Sequence, residues 1–225
     1  MKKLQLLFFA GLVFISESFA ATGQQNYPYF IRLQNLVGMT GTIFTPTAFI
    51  LPESHYSFGL HQFNIGLAYG LSKKIEIGTN FDLRRLSSFT GDVPKDLEVK
   101  AEEISLTGRY RFYNFGLNGG LALVQYRDNT YLVASRYFSD FYSLTFSGGL
   151  VSQLWKRENP ALFLSLTQTQ SMEQFVLDYD GLADRWSFGW RFLLSPDVCL
   201  DLFMTDITHY QQLFSNFIFG IIMVN

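Results

Sequence analysis

The chain has 225 residues, enough for one large domain or two small ones. Only 16 % are charged, well below the quarter usual in soluble domains, while 17 % are aromatic. A formal net charge of −2 leaves no basic footprint, so a nucleic-acid partner held by its phosphates is excluded.

Lys2 and Lys3 precede an apolar run from Leu4 to Ile15, and Ser18 and Ala20 stand at the −3 and −1 positions of a signal-peptidase site. Residues 1–20 therefore read as a secretory signal, too short for a transmembrane helix. No later segment holds the roughly 18 uninterrupted apolar residues of a membrane helix. Residues 21–54 form a lead-in. Gly38 and Gly41 permit close turns, and Pro46 and Pro52 bracket a short extended piece. Such a segment either tucks into the fold as a plug or forms its first edge.

From residue 55 to 225 the chain alternates with a period of two. Tyr56, Phe58 and Leu60 share a face; so do Phe63, Ile65, Leu67, Tyr69 and Leu71 after a phase change near His61 and Gln62. Ile75, Ile77, Phe81 and Leu83 oppose Glu76, Asn80, Asp82 and Arg84. A polar stretch from Arg85 to Glu103 reads as a surface loop. Ile104, Leu106, Tyr110 and Phe112 then oppose Ser105, Thr107, Arg109 and Arg111. The runs between Phe115 and Asp180 alternate less cleanly. Trp186, Phe188, Trp190 and Phe192 oppose Ser187, Gly189 and Arg191; Val198, Leu200, Leu202 and Met204 oppose Asp201 and Thr205. Turn residues separate the runs, among them Ser72-Lys73, Arg127-Asp128-Asn129, Asp180-Gly181 and Ser195-Pro196-Asp197.

The pattern predicts about twelve strands (about 10–12) of near ten residues each, the length of a transmembrane strand and longer than the roughly five or six usual in soluble sheets. A soluble sandwich or a lipocalin-like barrel would bury the apolar face and expose the charges. An all-β, antiparallel transmembrane barrel reverses this. Its apolar face meets lipid, and closure satisfies every backbone group in hydrocarbon. The candidate lumen lining is then Glu76, Asp82, Arg84, Arg109, Arg111, Asp178, Asp180, Arg191 and Asp201, with the facing of Arg136 left open. Acids and bases are nearly balanced. They suit either a pore with opposed charges or interior ion pairs that brace the wall.

The stretch "GMTGTIFTPTAFILPES", leading to "YSFGL", is similar to the start of YjbH-like outer-membrane barrels, and "IGLAYGLSKKIEIGTNF" resembles a hairpin common to them. The resemblance spans Gly38 to Phe81. It implies an outer-membrane location and an accessory or pore role in envelope exopolysaccharide transport. It supplies no catalytic residues. Unlike many barrels, the chain does not end in Phe or Trp.

No sequence feature assembles catalytic, cofactor or metal chemistry. His55, His61 and His209 have no metal-ligand spacing, and no nucleophile elbow or phosphate loop occurs. His61 near Ser57, and His209 near Thr208 and Ser215, are the pairs a lipid-modifying enzyme would use, but exposed rim histidines are the plainer reading. Cys199, the single cysteine, alternates onto the polar side as a small buried filler. The expected protein is not an enzyme and has no cofactor. Its partners are outer-membrane lipid, the barrel-assembly machinery, and polysaccharide or small solutes. A sealed anchor barrel that binds through its loops is the alternative.

Overall fold

Twelve segments that alternate in sequence are strands: β1 (Tyr56–His61), β2 (Asn64–Ser72), β3 (Ile75–Asp82), β4 (Ile104–Asn114), β5 (Gly119–Tyr126), β6 (Asn129–Phe138), β7 (Leu144–Gln153), β8 (Ala161–Gln170), β9 (Glu173–Asp180), β10 (Arg185–Ser195), β11 (Val198–Met204) and β12 (Phe217–Val224). The structure is a computed structural model and describes residues 30, 33–62, 64–82, 104–115, 118–138, 143–153, 159–208 and 216–225. The residues read as a signal, the Arg85–Glu103 loop, Arg84, His209 and Ser215 lie outside that set.

Each strand pairs antiparallel with its sequence neighbours, and β1 pairs with β12, so the sheet closes into a barrel without an edge. The two sides of each strand differ as alternation requires. Leu60, Leu67, Ile77, Leu106, Leu123, Leu132, Leu164 and Phe219 are exposed on the outer face. Ser57, Glu76, Ser105, Ser135, Ser147 and Asp201 are buried on the inner one. Outward rings pack edge to face: Phe175 lies 5.2 Å and Phe188 4.9 Å from Trp190. Trp190 is thus at mid-strand, not at a rim, while Trp186 sits at the start of β10 beside Tyr179.

The two ends of the barrel are unlike. The tight turns at 73–74, 171–172 and 196–197 lie at one end, together with the beginning of β1 and the finish of β12. The other end carries the long connections 83–103, 154–160 and 205–216, along with short turns at 62–63, 127–128 and 181–184. An even strand number, both barrel termini at one end, and all the long connections at the other fit an outer-membrane barrel. No helix among the described residues is long and apolar enough to cross a membrane.

Residues 33–51 are not an edge. Leu33, Gln34, Leu36, Met39, Ile43, Ala48 and Leu51 are all buried. Leu33 packs with Leu193, Cys199 and Val224 at the short-turn end. Leu36 and Ile43 pack with Val176, Phe203 and Ile218, and Met39 and Ala48 with Val124, Tyr131, Val151 and Phe163, towards the long-loop end. The segment therefore enters from the short-turn end, makes two tight turns and returns. Bridges between Gln34 and Thr40 and between Gly41 and Pro46 hold the turns, and Gly38 takes a positive φ of 79° in the first. A Cβ on Gly38 would lie 2.6 Å from the Thr79 carbonyl oxygen, so this turn also presses against β3.

Candidate functional site

An irregular segment inside a barrel leaves its backbone N–H and C=O groups without ladder partners, and each must find one. Here the inward charges supply them. Asp178 on β9 takes four donors from one turn of the segment. Its Oδ2 accepts from Phe44 N at 2.6 Å and Thr45 N at 3.2 Å. Its Oδ1 accepts from the hydroxyls of Thr45 at 2.5 Å and Thr42 at 3.2 Å. Glu76 on β3 accepts from Thr40 N at 2.9 Å, Thr40 Oγ1 at 2.5 Å and Leu51 N at 2.9 Å.

The arginines bind the opposite groups. Arg191 on β10 donates to the carbonyls of Gly41 at 2.9 Å, Gln34 at 2.6 Å and Thr42 at 2.7 Å. Arg109 on β4 donates to the carbonyls of Phe49 and Thr40. Wall carboxylates take amides and wall guanidiniums take carbonyls, the pairing each charge demands. Smaller groups complete the seat. Ala48 N donates to Ser135 Oγ at 2.7 Å, Asn80 donates to the Leu36 carbonyl at 3.1 Å, and Gln34 donates to the Ser57 carbonyl. Strands β3 and β4 face β9 and β10 across the twelve-stranded ring, so these bonds span the lumen.

The charged side chains also pair along the wall. Arg109 Nη1 lies 3.6 Å from Glu76 Oε1, and Arg191 Nε lies 3.4 Å from Asp201 Oδ1. Both pairs follow from register, since Glu76 is opposite Arg109 and Arg191 opposite Asp201. The row continues across the closing seam. Asp201 and His61 are both in register with Gly220 of β12, which lies between them. A Cβ on Gly220 would sit 2.2 Å from His61 Cδ2, so only glycine lets the imidazole cross over. His61 Nε2 reaches to 3.1 Å from Asp201 Oδ2.

That contact corrects the expectation of an exposed rim histidine: His61 is 3 % exposed. Alternation in β1 already pointed it inward, but nothing local in sequence identified Asp201, 140 residues away. Ser57 and His61 do not form a nucleophile and base, because they stand four positions apart along the strand, about 13 Å. Cys199 is buried, as read, and lies 3.7 Å from Asp201 Oδ1.

The nine candidate lumen residues fall into three groups. Glu76, Arg109, Asp178, Arg191 and Asp201 are buried and form the network. Asp82, Arg111 and Asp180 are half-buried; Arg111 donates to the Gly119 carbonyl at 3.1 Å, and Asp180 pairs with Arg185 at 3.1 Å. Arg84 lies outside the described residues. Arg136, whose facing was open, is exposed and outward. Arg185 was not anticipated; its guanidinium stacks 3.6 Å from the centroid of the Phe44 ring at the long-loop end.

Beside the segment is a cavity of about 20 Å³ lined by Thr47, Phe49, Thr145, Thr167, Gln174 and Arg191, among others. It has room for about one water molecule. No group of three or more potential metal ligands occurs among the described residues. No protein-family model matches the chain, and no curated relative matches it.

Proposed function

We propose that the chain is a non-enzymatic outer-membrane barrel that plugs its own lumen, an accessory or anchor protein in envelope exopolysaccharide traffic and not an open pore. One observation carries the sealed reading: the buried charges of opposite walls spend their hydrogen bonds on the backbone of residues 34–51. Charged hydrogen bonds of this kind contribute about 1.5–3 kcal/mol each. The exopolysaccharide context rests on the resemblance of Gly38 to Phe81 to YjbH-like barrels. The loops at the long-loop end are the part such a protein offers to a polysaccharide or protein partner.

The test is conductance of the refolded chain in a planar bilayer, with folding confirmed by heat-modifiable gel migration. Silence is expected from the folded protein. Steady, ion-selective conductance would return the lumen arginines and acids to the role of a pore lining.

A further inference from the structure

We infer that Arg136 is a docking point for an anionic phospholipid headgroup at the short-turn rim. The inference rests on the reading of the barrel as membrane-embedded. Five arginines lie in the strands: Arg109, Arg111, Arg136, Arg185 and Arg191. Four of them are buried or half-buried, on the inward side of the alternation, and are accounted for by partners there. Arg136 alone points outward, on the face that elsewhere carries Leu, Ile, Phe and Tyr.

Its position suits a headgroup. It stands two residues from the short-turn end of β6, where a lipid-facing arginine is nearly free of penalty, whereas at the midplane it would be costly. Its guanidinium lies 5.2 Å from the centroid of the Phe138 ring, and Phe146 of β7 is its partner in register. Both rings are exposed, as are Phe112 and Tyr113 of nearby β4, so the arginine is set in an aromatic belt. Arg136 has no ion pair among the described residues. Its row in register runs through Phe146, Leu166 and Leu177, none of them acidic. A planar guanidinium held at headgroup depth by rings, with no carboxylate partner among the described residues, offers bidentate bonds to a phosphate. On the outer-membrane reading the short turns are periplasmic, so this rim meets the leaflet built from phospholipid.

Native mass spectrometry of the refolded full chain tests this, with phosphatidylglycerol and phosphatidylcholine of identical acyl chains as probes. The anionic lipid should be retained about five-fold more than the zwitterionic one, the size of one basic residue's contribution at an anionic surface. R136Q should abolish that difference, and R136K should keep part of it. Excess inorganic phosphate should leave the adduct intact; displacement would mean a free-anion site and overturn the lipid assignment. Equal retention of the two lipids by the natural protein, or an undiminished ratio in R136Q, overturns the proposal. The natural protein's ratio decides alone if R136Q does not fold. Failure of the chain to insert into vesicles would instead refute the membrane reading itself.

Discussion

Asp178 offers a test in which two near-isosteric substitutions should behave very differently. Its two oxygens divide the work: Oδ2 takes two backbone amides and Oδ1 takes two hydroxyls. Asn can reproduce this. Its carbonyl oxygen faces Phe44 N and Thr45 N, and its NH₂ donates to the threonine hydroxyls, which accept as readily as they donate. D178N therefore forfeits the charge and keeps the bonds, at a cost of about 1–2 kcal/mol for the two amides. Leu has the same shape and no acceptor. The hydroxyls of Thr42 and Thr45 still have each other at 2.9 Å, but the two amides are stranded. At about 1–3 kcal/mol each, D178L should cost about 2–6 kcal/mol. Amide hydrogen exchange over residues 42–45 reads the difference directly. At about 1.4 kcal/mol per tenfold, exchange should quicken roughly 5- to 30-fold in D178N and roughly 30- to 10⁴-fold in D178L. Exchange in β12 should be little changed in either. If D178N exchanges as fast as D178L, net charge and not hydrogen bonding holds the turn. If neither differs from the natural protein, the seat at Asp178 does not hold residues 42–45.

Three further outcomes follow from the geometry. Gly70 lies where a Cβ would meet the Pro52 carbonyl oxygen at 2.0 Å, and its own carbonyl accepts from Ser54 N, so G70A should loosen this turn and make the exposed Glu53 and Ser54 susceptible to proteolysis in the folded barrel. Trp190 is outward at the middle of β10, so W190R should destabilise the protein in lipid vesicles by about 2–4 kcal/mol by urea unfolding, and much less in W190L. Cys199 is fully buried against Leu33 and Ile222, so a maleimide should leave the folded protein unlabelled and label it fully after boiling in dodecyl sulfate.

Much of the wall was legible because a membrane barrel writes its sidedness with a two-residue period. Trp186 to Phe192 against Ser187 to Arg191 needs no partner to be read; counting such runs gives about twelve strands (10–12), and the barrel closes with twelve. The less regular runs between Phe115 and Asp180 hid the facing of Arg136, and strand register settles it. The site was half legible. Alternation places Glu76, Arg109, Asp178, Arg191 and Asp201 inside, and their balance suggested ion pairs, two of which form. What they mostly bind could not be read. The partners are backbone groups of residues 34–51, which carry no side-chain signature, and the contacts span up to 157 residues. The His61–Asp201 contact is hidden for a related reason. It crosses a seam that exists only once the barrel has closed, and the clue is an absent side chain at Gly220.

The hairpin of residues 33–51 has both its ends at the same mouth, and this has a consequence for biogenesis. A segment that ran in at one mouth and out at the other could be placed after closure only by drawing its whole free end through the ring. A hairpin needs no such threading. The wall cannot be completed until β12 meets β1, yet the hairpin can be loaded before that event or after it, with no knot to tie. Barrel closure and lumen filling are therefore topologically separable steps of maturation. The row from His61 to Arg191 is where they meet, because the strand pairing that closes the ring also brings Asp201 and Arg191 beside the histidine, and Arg191 holds the hairpin.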